Sequence, residues 1–307
     1  MTSPRLGKAY RAEGMLLMAT LIWGSTFPVV KNLLSEVSPL QMMVLRFGLA
    51  SIVVLSIAWK SIFPLTRIQL LHGGVLGAVF FCGFVLQTVG LTLTTASKSA
   101  FITGLLVIFV PFLQIGIERR PPRLGNMIGI GVVLTGLYFL TVPGDIGFNF
   151  GDVLTLVCAV VFAVYIVYLD VAVKSMNTVQ VLFLQIATNA FLSLCAACAF
   201  GRLDIHLSPG GMLGVGYLTI SATIITVLIQ SRYQRETTPT RAAVIYSVEP
   251  VVAAILSWVI LGETLGISGV TGASMILAGV LISEFSGTVR WLAKPIGRST
   301  MDDAEVL

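Results

Sequence analysis

Ten apolar runs of about twenty residues follow one another along this chain, with short polar turns between them. They cover roughly 13–35, 39–59, 67–91, 96–117, 124–142, 150–173, 178–200, 209–230, 240–261 and 267–286. A helix needs about 20 apolar residues to cross the hydrocarbon of a bilayer. The turns are rich in residues that stop helices, such as "SEVSP" (35–39), "RRPPR" (119–123), "PGDIGFNFGD" (143–152) and "LSPGG" (207–211). No connection is long enough to hold a soluble domain. The pattern predicts an all-α integral membrane protein of ten transmembrane helices.

The second half of the chain echoes the first. "TTASKSA" (94–100) leads into the fourth run and "TTPTRAA" (237–243) into the ninth, at an offset of 143. The same offset lays "GIGVVLTGLYFL" (129–140) on "GASMILAGVLIS" (272–283), with Gly129 on Gly272 and Gly136 on Gly279. Five runs per half is an odd number, so the second half enters the membrane inverted. The expected organisation is a cytoplasmic segment (1–12), a five-helix repeat (13–142), an outer connection (143–149), a second repeat (150–286) and a cytoplasmic tail (287–307). Inverted repeats with broken helices near the midplane are a mark of secondary transporters. Pro28, Pro111 and Pro250 are the expected kinks lining a central cavity. Each removes a backbone hydrogen bond and frees a carbonyl that only protein or water can satisfy. Pro111 falls four residues out of register with Pro250, which implies a slip of about one turn in the repeat.

Composition agrees with a membrane setting: 56% of residues are hydrophobic and only 11% charged, against about 25% charged in soluble domains. The net charge of +5 reflects topology. Fifteen Lys and Arg fall on the side of the N-terminus, while Lys98 and Arg202 alone fall in loops on the other. That bias predicts both termini in the cytoplasm, facing anionic headgroups. Nothing in the charge pattern calls for nucleic acid. The four cysteines lie inside apolar runs, and the Cys195/Cys198 pair reads as helix packing.

Charged residues within the runs are few. Lys31 and Asp170 lie near ends and are expected to snorkel to the interface. Arg46 lies about 10 Å deep in the second run and Glu249 about 13 Å deep in the ninth. In a slab of about 30 Å their heights differ by some 6 Å. Both must face the interior. Either they pair as a structural bridge, or Glu249 binds a proton or a substrate amine while Arg46 holds a carboxylate. Trp23, Ser25 and Thr26 in "WGSTFP", together with Gln87, Tyr165, Tyr168 and Tyr246, are further candidates for the cavity wall. Gln114, Gln185, Asn189 and Gln230 are expected to bond between helices.

Known catalytic signatures are missing. There is no HExxH, GxSxG, P-loop or dinucleotide fingerprint, and the two histidines stand apart. The expectation is a non-enzyme with no cofactor and no metal, driven by a gradient.

"LIWGSTFPVVK" (21–31), "LRFGLA" (45–50), "VIFVPFL" (107–113), "VEPVVAAILSWVILGE" (248–263) and "GASMILAGVLIS" (272–283) together resemble the EamA family of the drug/metabolite transporter superfamily, bacterial ten-helix exporters. The resemblance implies two inverted five-helix repeats, a central cavity, and export of small metabolites from the cytoplasm across the bacterial inner membrane. Glu249–Pro250 and Gly262–Glu263 match positions common in the family's last repeat, with a capping or packing role expected for Glu263. The first half has no carboxylate at the position of Glu249. Few charges and several aromatics favour an amphipathic solute such as an amino acid, carried by a monomer. A passive channel for a drug, vitamin or nucleobase, or a non-transport membrane protein, is the alternative.

Overall fold

The computed structural model describes residues 4–118, 124–141, 149–200, 205–263 and 267–292, and every regular element among them is helical. The basic turn 119–123, most of the connection 143–149, Arg202 and the tail beyond 292 lie outside the described residues. In chain order the helices are α1 (Pro4–Leu33), α2 (Pro39–Ile62), α3 (Arg67–Leu93), α4 (Ala96–Gly104), α5 (Leu106–Glu118), α6 (Leu124–Thr141), α7 (Phe150–Ala172), α8 (Thr178–Phe200), α9 (Pro209–Thr219), α10 (Thr226–Tyr233), α11 (Pro239–Tyr246), α12 (Glu249–Leu261) and α13 (Ile267–Leu292). Eight helical stretches among the described residues are long and apolar enough to cross a membrane. The fifth and tenth expected spans fall on α6 and α13, whose apolar segments Met127–Gly136 and Ile267–Gly279 are shorter.

Polarity is distributed as lipid requires. Ile57, Phe200, Leu213 and Ile267 stand exposed, while Arg46, Asp152, Gln185, Asn189, Gln230 and Gln234 are buried. A water-facing domain has the opposite arrangement. Helix starts are closed by side chains. Ser38 and Gln41 form a capping box on α2, and Thr66 and Gln69 form one on α3. Thr95 caps α4 and Thr238 caps α11, each accepting the N–H three residues on, from Lys98 and Arg241.

The fourth and ninth expected spans are each broken in two. The first break is at Leu105, between α4 and α5, and the second at Ser247–Val248, between α11 and α12. The backbone bonds around them match residue for residue. Leu105 N–H donates to Ile102 O and Ile108 N–H to Leu105 O; Val248 N–H donates to Ile245 O and Val251 N–H to Val248 O. Every pair differs by 143, so the expected slip in register does not occur. Proline does not cause the first break. Pro111 lies inside α5, six residues past the first break. Pro250 lies in the first turn of α12, where its missing N–H has no intrahelical acceptor anyway.

Glycines set the closest approaches. A Cβ on Gly136 would meet Gly272 O at 2.7 Å, and one on Gly279 would meet Gly129 O at 2.7 Å. These two contacts are each other's image under the 143-residue offset, and they run α6 antiparallel to α13. Gly73 and Gly77 admit Leu184 and Thr188 of α8 and make a packing seam of small residues. Gly24 on α1 sits against Val252 and Glu249 O on α12.

Lys31 departs from expectation. Its ammonium turns inward and donates to Leu91 O and Thr94 O, both at 2.7 Å, closing the C-terminal end of α3. Asp170 accepts from Lys174 one turn on, at 2.8 Å. Cys195 and Cys198 are free thiols on the exposed face of α8.

Candidate functional site: a cavity between the broken helices

A cavity of about 70 Å³, as measured by the space open to the centres of water-sized molecules, lies where the helix breaks meet α1, α2, α3 and α7. That is room for a handful of waters or part of a small solute. Its wall is made by Trp23 and Thr26 from α1, Arg46 from α2, Phe80, Phe84 and Gln87 from α3, Thr103 and Leu106 beside the first break, Phe162, Tyr165 and Ile166 from α7, Gln230 from α10, and Tyr246 and Glu249 beside the second break.

Glu249 is the first residue of α12, and its half-buried side chain faces this space. A carboxylate at a helix start lies at the positive end of the helix dipole. Acidic residues and proline are both favoured there, so "EP" in an apolar run is the opening of a new half-helix. Its repeat mate is Leu106, the first residue of α5, which lines the same cavity. No hydrogen bond to the Glu249 carboxylate occurs among the described residues.

Arg46 is 3% exposed and does not bridge to Glu249. Its Nε donates to Thr223 Oγ1 at 2.7 Å and its Nη2 to Ala222 O at 3.0 Å. Its guanidinium also lies over the rings of Phe47 and Phe84, 5.1 and 4.8 Å from their centres. Ala222 O is available because residues Ile220–Ile225, between α9 and α10, form a π-helical turn. Such a turn shifts the backbone register and leaves carbonyls to side chains. Trp23 Nε1 donates to the same oxygen at 3.3 Å, and Thr226 Oγ1 at 2.8 Å. The sequence reading missed this turn; the hydroxyl-rich "TISATIIT" (219–226) is its one visible trace.

Buried amides and phenols surround these groups. Tyr165 Oη lies 2.7 Å from Gln185 Oε1 and 3.0 Å from Gln230 Oε1. Gln87 Nε2 donates to Thr103 Oγ1 at 3.3 Å, and Tyr246 Oη to Gln234 Oε1 at 3.2 Å. Trp23 meets Tyr246 edge to face, and Phe80 stacks on Tyr165 with centroids 4.9 Å apart. The cavity therefore offers aromatic faces, a few amide groups, one guanidinium and one carboxylate.

Several expected residues lie elsewhere. Ser25 bonds to Ile22 O and to the Tyr217 hydroxyl, off the cavity. Tyr168 pairs with His72 Nδ1 at 2.8 Å. Pro28, Pro111 and Pro250 are buried but do not line the cavity. Gln114 takes the Thr240 hydroxyl at 2.6 Å, and Gln185 reaches Ser231 as well as Tyr165, as interhelical partners. Glu263 caps α4, accepting the N–H groups of Ala96 and Ser97. Among the described residues no cluster of His, Cys, Asp or Glu could hold a metal ion.

A helical membrane protein with a lined internal cavity belongs to a recognisable class, and comparison with known proteins names the family. The family model described as the EamA-like transporter family matches residues 11–142 and 149–285. The chain belongs to that family and is a membrane transporter. A relative from Archaeoglobus fulgidus, named as an uncharacterized transporter, is 32% identical over 275 residues, covering 90% of this chain and 86% of its own. The Escherichia coli inner membrane transporter YedA, also named uncharacterized, is 26% identical over 300 residues, covering 95% and 96%. A solved crystal structure superposes with a TM-score of 0.76 at 18% identity, over 93% of this chain and 99% of the other, so the fold is shared.

Proposed function

We propose that this chain is a secondary transporter that exports small amphipathic metabolites, foremost amino acids, from the cytoplasm by alternating access. The observation that carries this reading is the pair of charged groups left apart in one cavity. Glu249 accepts no hydrogen bond among the described residues, and Arg46 is held by a backbone oxygen and a hydroxyl instead of a carboxylate. A zwitterion presents an ammonium and a carboxylate to such a wall, and aromatic faces accept its side chain. An unpaired carboxylate inside a bilayer is costly unless a substrate, proton or water meets it.

The matched bonds at the two breaks, and the mirrored glycine contacts between α6 and α13, support two inverted five-helix repeats, with α6 and α13 as the fifth and tenth spans. Exchange of the two halves' conformations would then open the cavity to either side in turn. The Lys and Arg bias supports cytoplasmic termini against anionic headgroups, and the kinship with YedA supports a multi-pass protein of the inner membrane. The reading needs no cofactor, nucleic acid or second subunit.

Solute counterflow in proteoliposomes tests it. Vesicles preloaded with unlabelled amino acids should take up labelled phenylalanine, methionine or threonine saturably. No exchange with any of them, in folded protein, would overturn the amino-acid assignment. Flux that never saturates would favour a passive facilitator.

A further inference from the structure

Two ion pairs outside the cavity are related by the same internal repeat. Lys98 Nζ lies 2.6 Å from Asp152 Oδ2, and Arg241 Nη2 lies 2.8 Å from Glu13 Oε1. Lys98 and Arg241 occupy the same place, three residues after the threonine caps of α4 and α11, at the 143 offset. Their acidic partners also correspond. The Ser38/Gln41 box at the start of α2 recurs as Asn177/Gln180 at the start of α8, an offset of 139. That offset carries Glu13 onto Asp152. Each pair joins the half-helix of one repeat to the first helix of the other.

The two pairs sit at opposite ends of the molecule. Glu13 lies near the start of α1, and Lys31, near its end, bonds to Thr94 beside α4. At 1.5 Å per residue those two positions are about 27 Å apart, close to the thickness of a bilayer core. From each pair a short half-helix runs to the cavity. α4 leads from Lys98 to Thr103, and α11 leads from Arg241 to Tyr246; both end residues line the cavity. Each half-helix then ends at its break, which makes Leu105 and Val248 the points at which it could hinge. The pairs are mostly screened from water: Lys98 and Asp152 side chains are 13% and 0% exposed, Arg241 and Glu13 19% and 10%.

We propose that Lys98–Asp152 and Arg241–Glu13 are the two gates of the transporter, each closing the cavity at one end and breaking in alternation. The proposal rests on the alternating-access reading. It goes beyond that reading by assigning the latches. Both pairs are formed in this conformation.

Side-specific labelling tests the assignment without requiring a known substrate. In a variant with all four cysteines replaced by serine or alanine, Ile166→Cys reports on the cavity to a membrane-impermeant maleimide added on one face of a proteoliposome. Lys98→Ala removes one latch while Asp152 keeps its bonds to Thr94 and Asn149. Labelling from the Lys98 end should rise about tenfold and labelling from the other end should fall, since breaking one well-buried pair shifts a balanced equilibrium by at least that factor. Arg241→Ala should do the reverse. Exchanging the charges with Glu13→Arg and Arg241→Glu together should restore the parental ratio. Equal labelling from both faces in the single variants, changes in the same direction, or a swap that behaves like Arg241→Ala would overturn the gates. Counterflow of the parent protein, run on the same vesicles, separates that failure from a failure of the transport reading.

Discussion

The two helix breaks are built alike and do different things. Around Leu105 and around Val248 the backbone makes the same short bonds, and the flanking half-helices have matching ends. What differs is the first side chain after each break. The first half offers Leu106 to the cavity and the second offers Glu249. A duplicated backbone thus supplies the geometry twice, while the chemistry is placed once. On the proposed reading, internal symmetry here serves movement and asymmetry serves recognition.

That contrast can be broken most forcefully at its polar member. Glu249→Gln should lower saturable exchange by roughly two orders of magnitude, the scale of removing a buried charged partner, and should flatten its dependence on pH. Leu106→Gln should leave exchange within about threefold, as a large but uncharged change outside a specific contact does. If both variants behaved alike in counterflow, the two breaks would be functionally equivalent. Next in size, Arg46→Met removes two charge-assisted hydrogen bonds, to Thr223 Oγ1 and Ala222 O, and should cost about 1.5–3 kcal/mol, read as a lower midpoint of thermal unfolding in detergent. Arg46→Lys should recover only part of it, because an ammonium cannot serve both acceptors with the guanidinium fork.

A smaller effect is expected where α1 meets the second break. Gly24→Ala puts a Cβ 2.6 Å from Val252 Cβ and should cost about 1–3 kcal/mol. Gly14→Ala on the same helix meets nothing within 4 Å and should stabilise by about 0.5–1 kcal/mol, since Ala favours a helix interior over Gly. The smallest difference concerns the prolines. Pro111→Ala restores a donor in the body of α5 and should stabilise by about 1 kcal/mol. Pro250→Ala, in a first turn that has no use for the donor, should be neutral within about 0.5 kcal/mol. Unfolding midpoints of the two variants side by side would test whether the breaks owe anything to proline.

Much of this was legible in the sequence, for definable reasons. Helix positions follow from long apolar runs punctuated by Ser, Thr and Asn caps, and these are local signals. The 143-residue echo gave the relation between the fourth and ninth spans. Glu249, Arg46, Trp23, Thr26, Gln87, Tyr165 and Tyr246 were picked out because polar or large aromatic groups deep in an apolar run must face something, and they line one cavity. Phe80, Phe84 and Phe162 were invisible, since an aromatic in an apolar run carries no mark of which way it faces. The first break was placed on the wrong residue because proline is the obvious breaker. Leu105 and Val248 bend through turn geometry that their side chains do not announce. Lys31 was expected at the interface because its carbonyl partners, at the C-terminal end of α3, are some sixty residues away.

The shared acceptor in the π-helical turn has a consequence for how such a protein can change. Ala222 contributes its main-chain oxygen to Arg46, Trp23 and Thr226. A backbone atom survives any substitution at its own position, so exchanging the alanine leaves the acceptor in place. Its weak point is chain length. Removing one residue between Thr219 and Thr226 would turn the wide turn into an ordinary α-helix and draw the oxygen back into the ladder. A single deletion could therefore release Arg46, Trp23 and Thr226 from their common anchor at once, while leaving every side chain facing the cavity in the sequence.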